Sequence, residues 1–477
     1  MTALSAIRFG TDGWRALIAR DFTFDNVRAC ADGVARLVEA EGGAERGVVV
    51  GYDTRFGSAE FAAEAAGTLA TRGVRAHLCS SAAPTPVVSF NVPHRGAAGG
   101  IVITASHNPG AWNGFKYKPS YGGSAAPEVV AELERRIADA LADGPADAMP
   151  PDEARAAGLL TDVDAAAPYL ANAARSIDLD AIRGAGLRVA VDSMHGAGGG
   201  YFAALVGGGA SAVAEFRAEP NSAFPGMAQP EPIAPNLGPV IDAVRGGGYD
   251  AALATDGDAD RLGLIDEKGA FVTTLQTFAL LCLHQLEVRG LRGPLVRSIT
   301  QSAMIDKLAE RYAVPVRVTP VGFKFLGPLM MAEDALAAGE ESGGYAFRGN
   351  IPERDGLFSG LLLLEMMTRT GKRLSELTAW LTELTGEHHY DRLDVHLSPD
   401  APRPSVQALA DRAPASVAGL AVRERRTEDG LRLLLDGGYW GLIRVSGTEP
   451  LLRIYAEADS PERVTRIHEE LRALAGV

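Results

Sequence analysis

The sequence predicts an α/β fold divided into several units, and three observations carry that expectation. Short apolar runs rich in β-branched residues alternate with helical patterns. The runs end in polar or glycine-bearing loops, and the last part of the chain changes to strands followed by one helix. At 477 residues the chain is too long for one ordinary core. Its length corresponds to about three or four domains.

Residues 47–53 read as a buried strand, 58–72 as an Ala-rich helix and 100–104 as the next strand. A second unit begins near 187–192 and includes a strand over 250–255. A third runs from about residue 269, with a strand at 294–298 and an apolar helix over 356–370. Residues 142–153 and 398–404 are polar and Pro-rich and read as connections. The final segment has strands at 431–435, 441–445 and 451–457, then a helix from Pro461, which predicts a small α+β domain.

Composition narrows the function. A formal charge of −14 argues against a nucleic-acid partner, yet a few local Arg and Lys residues can still line a cleft for an anion. Cys30, Cys79 and Cys282 are far apart and have no metal-ligand spacing, which fits packing in a reduced compartment. Residues 1–8 lack the apolar run of a signal peptide, and the apolar stretch 361–367 is too short to span a bilayer and contains Glu365. The expectation is a cytoplasmic enzyme or binding protein with no membrane partner.

Thr255-Asp-Gly-Asp-Ala-Asp-Arg261 is the sharpest motif. It follows an apolar strand, so it sits where open α/β sheets place ligands. An extended loop would point Asp256, Asp258 and Asp260 the same way and offer three carboxylates to one hard cation, Mg²⁺ or Ca²⁺. An EF-hand is the structural rival, with Glu267 at the twelfth position, but Arg261 occupies the place of the turn glycine and a strand precedes the loop. A solvated acidic turn is the plainer alternative.

The run Gly100-Ile-Val-Ile-Thr-Ala-Ser-His-Asn-Pro109 delivers Ser106 onto a loop beside His107, with Lys116 following. Alone, Ser106 would be a turn residue and Lys116 a surface lysine. With a cation nearby, Ser106 can carry phosphate, and Lys116 can act as acid or base if its pKa is lowered. Gly339-Glu-Glu-Ser-Gly-Gly344 offers groups for sugar hydroxyls, and Arg444-Val-Ser-Gly-Thr-Glu-Pro-Leu-Leu-Arg453 reads as a phosphate cradle. His195-Gly-Ala-Gly-Gly-Gly200 fails the dinucleotide pattern at Tyr201 and is expected to serve strand-to-helix packing. His388 and His389 read as structural.

In this order the motifs resemble the α-D-phosphohexomutase superfamily, which includes phosphoglucomutase and phosphomannomutase, from Phe9-Gly-Thr-Asp-Gly-Trp-Arg15 to Arg453. The resemblance implies four domains around a central cleft: three related α/β domains with mixed sheets at 1–155, 156–266 and 267–387, and a smaller α+β domain at 388–477. It implies Ser106 as the phosphoserine and a metal ligand, with His107 beside it. Asp256, Asp258 and Asp260 would hold Mg²⁺, Arg261 would face substrate, Lys116 would be the acid/base and Arg15 an active-site arginine. Glu340 and Ser342 match the sugar loop; Arg444, Ser446, Gly447, Thr448 and Arg453 match the phosphate loop; Gly322 and Arg354 lie in substrate-contacting segments.

The implied activity interconverts hexose 1-phosphate and hexose 6-phosphate through a hexose 1,6-bisphosphate, with glucose 1,6-bisphosphate as activator. Members acting on glucosamine, and dual glucose/mannose members, tend to read Ser-Gly-His where this chain reads Ser342-Gly-Gly344. Glucose is therefore expected first and mannose second. A hinge for the last domain is expected between 386 and 404, and the chain as a monomer or homodimer. The competing classes are a phosphate-releasing hydrolase and a catalytically silent binding protein.

Overall fold

The computed structural model describes residues 7–398, 404–445 and 451–477. Four sheets succeed one another along the chain. The first contains β1 (Trp14–Leu17), β2 (Val48–Tyr52), β3 (Ala76–Cys79), β4 (Gly99–Ile103), β5 (Trp112–Pro119) and β6 (Leu160–Val163), in the order β1-β5-β4-β2-β3-β6. Central β2 and β4 are parallel and almost wholly buried, which explains their unbroken apolar sequences.

The second sheet holds β7 (Arg188–Asp192), β8 (Ala212–Phe216), β9 (Ala251–Thr255), β10 (Leu262–Asp266) and β11 (Phe271–Val272), ordered β11-β10-β9-β7-β8. The third holds β12 (Leu295–Ser298), β13 (Val316–Thr319), β14 (Ala337–Gly339) and β15 (Tyr345–Phe347), ordered β13-β12-β14-β15. All three share one plan. A parallel strand at the edge of the parallel set (β4, β9 or β14) runs through a loop into an antiparallel partner (β5, β10 or β15).

The fourth sheet is antiparallel throughout: β16 (His389–His396), β17 (Ser416–Val417), β18 (Leu420–Arg426), β19 (Leu431–Leu435), β20 (Trp440–Val445) and β21 (Leu451–Ala458), ordered β16-β21-β20-β19-β18-β17. The helix Pro461–Ala475, capped by Ser460, packs on it.

Two sheets reach past the expected domain ends. β6 pairs with β3 from Ala76↔Leu160 to Cys79↔Val163, so the chain returns to the first sheet after residue 155. β11 likewise extends the second sheet beyond residue 266. The connection at 142–153 also contains the start of a short helix, Pro151–Ala156, which its leading proline can initiate. Among the described residues no helix is long and apolar enough to cross a membrane, and all three cysteines are free and buried.

One hydrophobic cluster runs through the first three units, from Val49 and Val102 through Val191 and Leu253 to Phe278 and Leu361. The helix Gly356–Thr370 lies in its midst, with every residue from Gly356 to Met367 buried. Asp355 caps this helix by accepting from Phe358 N at 2.8 Å, and Tyr169 OH donates to its two carboxylate oxygens at 2.9 and 2.8 Å. Burial pushes the Asp355 carboxyl up from 3.8 to about 6. The folded protein therefore retains a proton that the unfolded chain releases, and the stability linked to this group declines as pH rises through that window. Asp355→Asn should weaken the fall in Tm between the two values, read by thermal unfolding at matched pH; an unchanged pH slope would disprove the assignment.

Candidate active site

The shared plan of the sheets places three of the expected motifs at one topological position. Ser106 lies on the loop from β4 to β5, the three aspartates on the loop from β9 to β10, and Glu340–Gly344 on the loop from β14 to β15. Each loop leaves the C-terminal end of a parallel strand, where backbone and side chains are free to meet a ligand.

Ser106 adopts φ +52°, a left-handed conformation uncommon for a residue with a side chain. Its surroundings over-determine the turn. Ser106 N donates to Thr104 Oγ1 at 2.8 Å, and Thr104 Oγ1 donates to Asp53 Oδ2 at 2.6 Å. Arg55, fully buried, donates to the carbonyls of Ser106 and Asn108 at 2.6 Å each, of Pro109 at 2.9 Å and of Trp112 at 3.0 Å. One guanidinium fork thus satisfies four carbonyls of the serine loop. His107 Nδ1 stands 3.4 Å from Ser106 Oγ. Burial, together with Arg261, Arg15 and Lys116, depresses the His107 pKa well below its ordinary range, so the ring is neutral.

The aspartate loop is a turn rather than the extended run expected. Ala259 has φ +56°, and its N–H closes on Asp256 O at 3.0 Å. The turn, rather than strand alternation, brings one oxygen from each of Asp256, Asp258 and Asp260 within 4.8 Å of the others, all buried. Strands flank the loop on both sides, which rules out the EF-hand. Asp258 Oδ1 and Asp260 Oδ1 have no hydrogen-bond partner. Buried carboxylate oxygens in that condition fit a hard cation such as Mg²⁺.

Ser106 Oγ donates to Asp256 Oδ2 at 2.7 Å across 150 positions of sequence, and Thr85 Oγ1 donates to Asp258 Oδ2 at 2.5 Å. A Cβ at Gly257 would lie 2.5 Å from Ser106 O, so glycine is what lets the two loops touch. The loop 195–200 leads from β7 into the helix Tyr201–Val206 and also backs the aspartate turn: Ala197 N donates to Gly257 O at 2.9 Å.

Lys116 on β5 lies at the centre of this charge. Its Nζ is 2.7 Å from Asp12, 2.8 Å from Asp258 and 3.2 Å from Asp260. Burial alone would lower its pKa, but the three carboxylates outweigh burial and raise it. The expectation of a lowered pKa is therefore corrected: in this arrangement Lys116 is a firmly held cation. Burial and the neighbouring Asp260 and Asp258 raise Asp256 well above the carboxylate range. Burial also opposes the ionised form of Asp258, but Lys116 prevails and holds it low.

The remaining expected residues surround this core. Arg15 donates to Asn108 Oδ1 at 2.7 Å, and Arg261 donates to Glu231 Oε1 at 3.0 Å. Arg354 pairs with Asp12 and lies 3.0 Å from Asp260, so it braces the aspartate loop. Gly322 N donates to Glu340 Oε1 at 2.8 Å, which joins two expected sugar contacts. Ser342 is half-buried beside them. Arg444 and Arg453 face each other across β20 and β21. Ser446, Gly447 and Thr448 lie outside the described residues.

Asp12, Arg55, Thr85, Glu231 and the buried Lys118–Glu353 pair were not expected here. Asp12 stands within the Phe9–Arg15 motif, and Arg55 follows the strand end at Asp53; those placements were the available signals. Arg55→Lys exchanges a five-donor fork for a point donor. It should speed amide exchange over 105–112 by about tenfold or more, read by hydrogen-exchange mass spectrometry. Wild-type exchange there would show that the fork does not hold the loop.

Comparison with known proteins agrees with this geometry. The family models for phosphoglucomutase/phosphomannomutase match domain I at 6–143, domain II at 167–269, domain III at 275–384 and the C-terminal domain at 400–474. A "Phosphoglucomutase/phosphomannomutase" of Thermococcus kodakarensis is 32% identical over 468 residues, covering 95% of each chain. A "Phosphoglucosamine mutase" of Thermobifida fusca is 32% identical, covering 97% of this chain and 96% of its own. A crystal structure of a Thermus thermophilus protein, named as a phosphomannomutase, superposes with TM-score 0.86 at 37% identity over 100% of both chains. The chain belongs to the phosphoglucomutase/phosphomannomutase family of phosphohexomutases, isomerases that act as intramolecular phosphotransferases.

Proposed function

We propose that the protein interconverts hexose 1-phosphate and hexose 6-phosphate through phosphorylated Ser106 and a bound hexose 1,6-bisphosphate. The observation that carries this reading is the contact of Ser106 Oγ with Asp256 Oδ2 at 2.7 Å, deep among three carboxylates and Lys116. Asp256, Asp258, Asp260 and Ser106 would hold Mg²⁺, which when bound neutralises charge on the transferring phosphoryl group.

The transfer breaks the bond from phosphorus to Ser106 Oγ and forms one to the free sugar hydroxyl, while one proton passes from that hydroxyl to Oγ. Neutral His107, 3.4 Å from Ser106 Oγ, is placed to relay that proton, and cationic Lys116 to offset negative charge. Arg15 and Arg261 would face the sugar phosphate, with Glu340 and Ser342 on its hydroxyls. Gly322 would border that loop. Arg354 would act from behind it, and Arg444, Ser446, Gly447, Thr448 and Arg453 would grip the distal phosphate. The second transfer runs the same chemistry backward from the other phosphate after the bisphosphate has turned over, with glucose 1,6-bisphosphate able to prime the serine.

Glucose is the proposed first substrate and mannose the second. A side chain at Gly344 would meet Arg354 Cδ at 2.3 Å, so Arg354 fills the room that a Ser-Gly-His loop would need for its histidine. Relatives named phosphoglucosamine mutase make glucosamine 1-phosphate the comparison to run beside them.

The test is conversion of glucose 1-phosphate with Mg²⁺ and catalytic glucose 1,6-bisphosphate. Ser106→Ala should lower turnover by about three orders of magnitude or more and abolish phosphate incorporation at that position. Chelation should stop wild-type turnover, and Mg²⁺ should restore it. A wild type inert toward glucose, mannose and glucosamine 1-phosphates would refute the proposal.

A further inference from the structure

We propose that Asp429 is a positioning residue that ties the phosphate grip of Arg444 to the sugar loop at Glu340. This rests on the proposed roles of those two residues. Asp429 lies in the turn between β18 and β19, about four-fifths buried. Its Oδ1 accepts from Arg444 Nε at 2.9 Å, and its Oδ2 accepts from Val321 N, 108 positions away in the third unit, at 3.0 Å. The next residue, Gly322, donates its N–H to Glu340 Oε1 at 2.8 Å. Three hydrogen bonds therefore lead from an arginine of the fourth unit, through one carboxylate and two successive backbone N–H groups, to the sugar-loop carboxylate.

Each end of this chain has a geometric consequence. A guanidinium held at Nε has its plane fixed, and Nη1 and Nη2 remain as the pair suited to bidentate contact with a phosphate. At the other end, Oδ2 pins the peptide that carries Gly322 and so sets where Glu340 stands. An exposed ion pair between long side chains contributes little, but this carboxylate spends both oxygens, one on a backbone donor of a different unit. Removing it would leave Val321 N–H unpaired and Arg444 free to rotate. The phosphate site would lose its orientation and the sugar loop its brace in one substitution. The adjacent Glu341 works in the reverse sense: the loop's carboxylate accepts from Tyr390 OH of β16 at 2.8 Å.

The experiment measures kcat, KM for glucose 1-phosphate and inhibition by inorganic phosphate for wild type, Asp429→Ala, Asp429→Asn, Arg444→Ala and the double variant Asp429→Ala/Arg444→Ala. Asp429→Ala should raise KM about tenfold or more and weaken phosphate inhibition in parallel, with kcat changed far less. Asp429→Asn, which keeps an acceptor for Val321 N, should fall between. In the double variant the rise in KM should be clearly smaller than the product of the two single effects. Independent effects, or a lowered Tm with wild-type KM in both Asp429 variants, would make Asp429 a merely structural residue and overturn the proposal. If Arg444→Ala leaves KM and phosphate inhibition unchanged while wild type turns over, the phosphate-site reading itself has failed and takes this inference with it.

Discussion

Burying negative charge is the constraint on which the rest of the structure depends. Asp12, Asp256, Asp258, Asp260 and Glu353 are all removed from solvent near one junction. Unpaired, such a group would cost several kcal/mol or take up a proton. Lys116 and Lys118 reach it from β5, and Arg354 reaches it from the segment before the long buried helix. The compensating cations thus come from the first and third units and the carboxylates mainly from the second. None of the three could keep its share buried without the others, and one hydrophobic cluster likewise runs through all three.

The fourth unit is attached differently. It has its own core and meets the third through a small apolar patch of Ile299, Ala303, Trp440, Leu442 and Tyr455. That seam also contains polar groups. Arg432 lies 4.6 Å over the Trp440 ring, and burial lowers its pKa to about 9. His388, expected to be structural, bridges Glu457 and Lys307. The expected hinge at 386–404 narrows, because His389–His396 is paired with β21 along its whole length.

Much of this was legible in the sequence because the information is local. The strand–loop–strand pattern around Ser106 and around Asp256–Asp260 can be read from a dozen residues, and the apolar helix at 356–370 was found at those bounds. What escaped depends on partners distant in sequence. The charge state of Lys116 is set by Asp12 and by carboxylates about 140 positions onward, so a lysine read only with its neighbours looks free to lose its proton. Arg55 was missed because, apart from Asp53, its hydrogen-bond partners are backbone carbonyls, which leave no trace in residue types. The aspartates converge through a left-handed Ala259, which no alternation rule anticipates.

The equivalent placement of the three loops has a bearing on how such a site could arise. Each sheet contributes one loop, and the loops differ in what they bring: a serine hydroxyl, three clustered carboxylates, a glutamate among glycines. An isolated unit would present a single loop with nothing opposite it, so selection for chemistry could act only on units already side by side. Copies joined in one chain escape the demand that all loops remain alike, since a change suited to one role is no longer imposed on the others. Division of labour among units of one plan is thus open to this topology, and the site belongs to the arrangement rather than to any one fold unit.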